Sequence, residues 1–434
     1  MKKVIVIGAG MAGIMATRTL QEANVNVTLL EAADTIGGRT LTKHKLGVSA
    51  DLGASWIHGP VGNPLTPLAD KFGVAYGETD FLNRSGTAVQ AYDSDGSPLN
   101  MEEYARGQLL GKAALQKTYS SILAKRPSNN SLKALIEECL ALPDGLTRSE
   151  QLGAYYWAVI RSEYADAADW DTIDWQIGEY SALPGDDLLL YGGGFNGITD
   201  RLADGLDIRT GVVVERIVYG NNGVEIGTNV GRFTADHVII TVPLGVLKAD
   251  AIAFDPPFPE EKQGAIGRIG FGNYEKLWMR FDDFYWPRDR QRFNWLSEAR
   301  PGEPPLFHAW LNMGYYTGEP VLVSYHAGRR ARFVNGLTAD EQLSRTLDAM
   351  NVLFGDVPRD NVQTVRTDWQ NNRFTRGSYS FDQMGQLPED RRTLAQSVNN
   401  QLFFAGEATH PHFYATVHGA YETGIRAAQE IITQ

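Results

Sequence analysis

Cysteine is almost missing from these 434 residues: Cys139 is the only one. That excludes an intramolecular disulfide and any cluster of thiolate metal ligands. With Leu135, Ile136 and Leu140 around it in a helix-like stretch, Cys139 is expected to be a small buried hydrophobe. No apolar run reaches the roughly 18 residues of a membrane-spanning helix, so no membrane partner is expected. There is no H-E-x-x-H, and His410-Pro411-His412 has no third ligand at useful spacing, so no metal is expected. No G-x-S-x-G precedes a helix, which removes a common hydrolase signature. Acidic residues outnumber basic ones, 52 against 40, for a net charge of −12. Nucleic-acid binding calls for a basic face, so it is not expected either. The first strand starts at Val4, too early for a signal or transit peptide to precede it, and Ile432-Thr433-Gln434 is no peroxisomal address. The expected compartment is therefore the cytoplasm, and the N-x-S sequons at Asn83 and Asn129 are read as chance.

Glycine, by contrast, is abundant at 45 residues, and its placement near the start carries chemistry. Val4-Ile5-Val6-Ile7 reads as a buried parallel strand running into Gly8-Ala9-Gly10-Met11-Ala12-Gly13. Gly8 permits the tight turn, Gly10 lets a pyrophosphate approach the backbone, and Gly13 lets the next helix pack closely on the sheet. The N-terminus of that helix offers unpaired N–H groups and a positive dipole end. A second strand, Val25 to Leu30, ends on Glu31, placed to accept hydrogen bonds from a ribose. Strand, turn, helix, strand and acid in this order predict an adenine-dinucleotide site.

Strand-like pieces of such a domain recur far apart. They lie in residues 1–78, again in 188–256 (alternating Val212, Val214 and Ile217, then His237 to Val242), and again in 385–434 (Leu402 to Glu407). In the terminal helix Tyr421, Gly424, Ile425, Ala428, Ile431 and Ile432 share one face. Residues 79–187 look mostly helical, as in Met101 to Gln116 and Leu132 to Leu142. Residues 257–384 mix strands (Lys276 to Phe281, Val321 to Tyr325) with a helix from Ala339 to Phe354. The expected fold is α/β: a discontinuous Rossmann-like domain joined to a mixed α+β substrate domain with a helical insertion. Ligands are expected at their junction.

After Glu31 comes a second glycine pair, Gly37-Gly38-Arg39-Thr40. This E-x-x-x-x-x-G-G-R-x segment resembles that of the flavin amine oxidases, and the likeness extends over almost the whole chain. Asp51 to Gly59, D-L-G-A-S-W-I-H-G, is similar to the polyamine oxidase and histone-lysine-demethylase branch. The resemblance implies FAD as cofactor, bound through Gly8, Gly10, Gly13, Glu31, Gly38, Arg39, Trp56, Val214 and Glu407. A late cysteine tethers FAD in monoamine oxidases; with Cys139 alone, the cofactor is expected to be non-covalent.

Further site residues follow from the same resemblance. Lys276, between aromatics on one strand face, would hold a water against the flavin N5, although a bland reading lets it snorkel to the surface. Trp369, opening the segment that ends Gly377-Ser378-Tyr379, would flank the flavin, with Tyr379 towards the substrate. Thr416 is a plausible N-cap; N–H groups of the helix starting at Val417 would stabilise charge on the reduced flavin. Many members carry a tyrosine where this chain has Thr416, so Phe413 or Tyr414 is expected to supply that wall. His58 would guide or deprotonate an amine, and Glu163 would draw ammonium groups into the channel. The implied activity is oxidation of a small-molecule amine with molecular oxygen. Rivals are an L-amino-acid oxidase, using Arg161, Arg329 or Arg373 for a substrate carboxylate, and a non-oxidative FAD-bearing scaffold. The oligomeric state is left open.

Overall fold

The computed structural model describes residues 2–81, 83–121, 128–175, 181–221 and 223–434. Lys3–Ile7 is the middle strand of a five-stranded sheet in the order Leu402–Phe404, His237–Ile240, Lys3–Ile7, Asn26–Leu30, Ile208–Arg209. Every pairing in it is parallel. Parallel sheets are covered on both faces, which accounts for the unbroken apolar runs. The pleat sorts the side chains: Val4, Val6, Leu29, Ile239 and Phe403 enter one core, and Ile5, Ile7, Leu30, Val238, Ile240 and Phe404 the other. Helices Met11–Glu22, Asn196–Ala203 and Val417–Ile432 close the first core. A four-stranded sheet, Gly231–Ala235, Gly223–Thr228, Val214–Gly220 and Ala253–Asp255, closes the second. Three distant stretches of sequence thus build one Rossmann-like layer.

A second sheet has six strands in the order Gln363–Arg366, Tyr274–Arg280, Val321–Ala327, Ala309–Asn312, Arg292–Trp295, Val89–Tyr92. Its pairings are antiparallel except the last. Val89–Tyr92 comes from the stretch expected to be mostly helical; four residues carry too little periodicity to be read alone, and pairing with Arg292–Trp295 makes them a strand. Lys276 stands opposite Tyr325. Leu277 and Met279 enter the core on one side of the sheet, while Trp278 and Tyr274 lie against the core on the other.

The helices that frame the site have local causes. Ala339–Phe354 starts where expected, at a capping box of Thr338 and Glu341. Thr147 and Glu150 form another and open a helix that continues from Arg148–Tyr155 through a π-helical turn, Tyr156–Ile160, into Arg161–Asp166. It stops at Ala167, whose φ of 52° is left-handed. Among the described residues, no helix is long and apolar enough to cross a membrane. Cys139 is buried beside Leu132 and Leu135.

Candidate active site

The glycines at the start of the chain differ in what surrounds them. Gly8 has a φ of 104°. A Cβ on Gly13 would lie 1.8 Å from Gly8 O, so only glycine lets the helix sit this close. At Gly10 the nearest atom to such a Cβ is Gly37 O, 3.8 Å away. That face is open, and the helix it starts has no side-chain cap. Glu31 is held by Ala9 N at 2.6 Å and Ala33 N at 2.8 Å, one on each carboxylate oxygen. Burial pushes its pKa up against those N–H groups. Each oxygen keeps a lone pair for a hydroxyl. Gly37 and Gly38 both take positive φ and bring Arg39 across from the turn. Arg39 Nη1 donates to Ser378 O at 3.0 Å and Glu407 Oε1 at 2.8 Å, leaving its other N–H groups for a phosphate. Val214 is buried beside a register shift in its strand. These residues fit an adenine dinucleotide, with an open glycine face for the pyrophosphate and an acid for the ribose.

Lys276 does not snorkel. It is 3 % exposed, and Nζ donates to Asp51 O at 2.9 Å, Gly53 O at 2.5 Å and Ser55 Oγ at 2.7 Å. All three ammonium protons are thereby taken up. Burial drives its pKa down, opposed by Asp51, and burial drives that of Asp51 up. Above Lys276 lies a run of rings. Tyr325 is 5.7 Å from Nζ and packs on Trp56 (6.0 Å) and Tyr274 (5.6 Å), which in turn meets Tyr379 (6.1 Å) and Tyr164 (5.9 Å). Trp369 joins the same core, with Nε1 donating to Leu52 O at 3.2 Å. The structure therefore brings Trp56, Lys276, Trp369 and Tyr379 together, with Arg39 one loop away through Ser378.

Other expected residues are placed differently. Glu163 is not a channel carboxylate: it is 2 % exposed, with Arg330 Nη1 at 2.5 Å and Trp170 N at 3.2 Å. A charge that deep needs a partner, and Arg330 is it. Glu407 is an anchor rather than an open acceptor, since Arg39, both donors of Ser380 and Ala415 N take its two oxygens. Burial opposes its ionisation, yet those donors hold its pKa below the ordinary value. Tyr414 is unsuited to a cage wall, because its ring lies 3.6 Å from the Arg391 guanidinium and its hydroxyl donates to Asp382. Phe413 packs on His418 at 4.8 Å and His410 at 5.0 Å. His58 is half exposed and bonds Asp187 Oδ2 at 2.7 Å. Thr416 caps the terminal helix, accepting from Gly419 N, so Val417 begins it as expected. His410 is bonded to Glu422.

Comparison with known proteins decides the identity. The sequence profile described as flavin containing amine oxidoreductase matches residues 11–432. The chain belongs to that family. Polyamine oxidase 2 of Arabidopsis thaliana is 36 % identical over 98 % of this chain and 87 % of its own length. Polyamine oxidase 3 of Oryza sativa subsp. japonica is 34 % identical, covering 98 % and 88 %. Lysine-specific histone demethylase 1 homolog 2 of Arabidopsis thaliana is 34 % identical over 99 % of this chain but only 58 % of the relative. A solved double mutant of putrescine oxidase shares the fold, with a TM-score of 0.77 at 19 % identity, covering 100 % and 99 % of the two chains. This protein is a flavin-dependent amine oxidase with FAD as its non-covalent cofactor.

Several parts of this candidate site escape motif reading. Glu275, buried on the far face of the Lys276 strand, accepts from Trp369 N, Gln370 N, Thr367 Oγ1 and Asn335 Nδ2. Tyr325, Tyr274 and Tyr164 form the wall over Lys276. Asp51, 1 % exposed, has one oxygen bonded to Thr42 and Phe195 N, and the other without a partner among the described residues. Only Glu275 had a visible signal, as a charge on an otherwise apolar strand face.

Proposed function

We propose that this amine oxidase removes a hydride from the carbon beside the nitrogen of a polyamine or other primary or secondary amine. The bound FAD supplies the redox chemistry, hydride acceptance at N5 and reoxidation by oxygen to hydrogen peroxide. Residues 1–78, 188–256 and 385–434 hold it, through Gly8, Gly10, Gly13, Glu31, Gly38, Arg39 and Val214, and residues 79–187 and 257–384 shape the substrate side. The observation that carries this is the buried Lys276 ammonium, tied to the Asp51–Ser55 loop and roofed by Trp56, Tyr325 and Tyr274. Such a low-dielectric aromatic pocket disfavours an ammonium and so favours the neutral amine, whose lone pair assists hydride loss. Lys276 would hold the water that hydrolyses the imine by turning one ammonium N–H to it from Ser55 Oγ or from the carbonyl of Asp51 or Gly53. Thr416, which caps the helix beginning at Val417, would leave that helix N-terminus to stabilise negative charge on the bound cofactor. His58, oriented by Asp187, handles the amine at the mouth.

One observation favours a second substrate class. Arg329 is paired with Asp169 and Glu163, and Arg373 rests over Phe374. Arg161 lies 4.4 Å over Trp157 with no ion pair among the described residues, so it is the arginine open to a carboxylate. Peroxide release with spermine, spermidine, N-acetylated polyamines, monoamines and L-amino acids separates these readings. Turnover confined to amino acids would overturn the amine proposal. A flavin that no compound bleaches anaerobically would instead support a scaffold.

A further inference from the structure

The register of the six-stranded sheet continues the site sideways from Lys276. Lys276 stands opposite Tyr325, Tyr325 opposite Ala309, and Ala309 opposite Asn294. Residues paired in this way share a face, so Asn294 points to the side that carries Lys276. Arg292, two residues earlier on the same strand, shares that face, and its row runs through Leu311, Val323 and Trp278. Phe293, between the two, enters the opposite core. Strands lie about 4.8 Å apart, so the Asn294 backbone is about 14 Å from that of Lys276. Arg292 therefore stands at the far end of the active-site face.

Its guanidinium has no carboxylate partner among the described residues. Arg292 is 7 % exposed, and Nη2 donates to the Tyr156 hydroxyl at 3.0 Å. The Phe81 ring covers the group at 4.5 Å, and Phe81 meets Trp56 at 5.8 Å. Nη1 is buried without any partner among the described residues. So is the hydroxyl of Tyr325, whose ring lies over Lys276. Burial holds that phenol well above its ordinary pKa, with Arg292 opposing, so the hydroxyl keeps its proton and remains a donor. Asn294 Oδ1 is also unpartnered, but as an acceptor it has no part in holding an anion; Nδ2 donates to Tyr104. A second guanidinium, Arg161, is exposed above the Trp157 ring and likewise has no ion pair among the described residues.

Leaving buried donors unpaired is costly, most of all on a charged group. A cation and a phenol that offer only donors select a carboxylate and reject an ammonium. Phe81 is half-buried on a turn rather than a strand, so it is the part of the cover least fixed by the sheet. Position limits the ligand further. An α-amino acid carries its carboxylate one bond from the oxidised carbon, too close to reach a group three strands from Lys276. The acid must lie at the other end of a chain.

Given the amine oxidase function proposed above, we infer that Arg292 and the Tyr325 hydroxyl form an anion subsite for a carboxylate at the far end of an ω-amino acid substrate. Arg292 is thus a specificity-determining residue that touches substrate away from the reacting carbon.

The test is calorimetric titration of the anaerobic, photoreduced holoenzyme, which cannot oxidise the ligand. The probes are 4-aminobutanoate, 6-aminohexanoate and 8-aminooctanoate, each against the alkylamine of the same length. At least one amino acid is expected to bind about tenfold to a hundredfold more tightly than its alkylamine, the usual range for charge-assisted contacts. Arg292→Gln should abolish that preference while the alkylamine binds as it does to the parent; a general folding defect would weaken both. Tyr325→Phe keeps the ring and should reduce the preference about threefold to tenfold, the range for one neutral hydrogen bond. Equal affinities within every pair, as a buried water on these donors would give, would overturn the inference. So would a preference that survives Arg292→Gln. A preference for the amino acid with no reduction of the oxidised flavin by any probe would instead sink the oxidase proposal and leave the subsite standing.

Discussion

Glu275 and Lys276 leave adjacent positions of one strand in opposite directions, and each fastens a different loop of the same site. Lys276 holds the Asp51–Ser55 loop from one face, and Glu275 Oε1 holds Trp369 N at 2.9 Å from the other. Glu275→Gln keeps the shape but places an amide where four donors converge. Leaving buried donors unpaired costs about 1–3 kcal/mol. The expected result is a lower denaturation midpoint together with slower flavin reduction, since Trp369 loses its fixed position. An unchanged midpoint in chemical denaturation would show that the carboxylate does not hold this loop.

Lys276→Met tests the other half of the pair. It removes three donors, so some stability is lost with them, but none of the dinucleotide contacts described above involves Lys276. FAD should still bind and the anaerobic reduction by substrate should survive at least in part. Reoxidation by oxygen in stopped flow should slow by about a hundredfold, within the range for loss of a positioned proton-handling group. Oxygen kinetics indistinguishable from the parent would remove Lys276 from the mechanism.

Much of this arrangement is legible in the chain, and the illegible part has a common physical origin. Gly8 to Glu31 announces its own geometry because a tight turn, a helix start and a buried strand are local events. Ala339–Phe354 is readable for the same reason, its Thr338 and Glu341 caps lying three residues apart. Lys276 was recognisable by likeness, but its burial was not: the carbonyls that hold it come from more than two hundred residues upstream. Glu163 shows the reverse error. Likeness made it a carboxylate of the substrate channel, and the folding of Arg330 onto it from 167 residues away closes it. Long-range charge pairing is invisible to periodicity.

Gly10 and Gly13 should separate holding the cofactor from holding the fold. At Gly13 an alanine methyl would collide with Gly8 O at 1.8 Å, so Gly13→Ala is expected to yield little folded protein. At Gly10, φ is −79° and the nearest neighbour to a new Cβ is 3.8 Å away. Gly10→Ala should leave the thermal stability of the apoprotein within about 1 kcal/mol of the parent, the size of an ordinary glycine-to-alanine effect. The same change should sharply lower the FAD content measured by visible absorbance. Full FAD occupancy in Gly10→Ala would show that the pyrophosphate does not approach there.

Glu163→Gln should behave as a structural change. Removing one charge strands Arg330, and breaking a buried pair in this way typically costs about 3–5 kcal/mol. A large fall in denaturation midpoint is expected, with the Michaelis constant of the folded fraction close to that of the parent. A raised Michaelis constant at unchanged stability would restore Glu163 to the substrate channel.

His326 gives the clearest dependence on pH. It lies fully buried on the Val321–Ala327 strand, 5.2 Å from Phe307, and neither ring nitrogen has a partner among the described residues. Burial, with Arg330 adding to it, lowers its pKa from 6.5 to about 3. Between those values the unfolded chain binds a proton that the folded chain refuses. Unfolding is therefore favoured as pH falls through this window, and stability rises as pH rises from about 3 to 6.5. From pH 6.5 to 5 the contribution is about 2 kcal/mol, at about 1.4 kcal/mol per unit. His326→Phe keeps a ring against Phe307 and removes the titrating group, so its loss of stability over that interval should be smaller by roughly this amount. Urea denaturation at pH 7 and pH 5 measures it, and parallel losses in the two proteins would show that His326 is already charged in the fold.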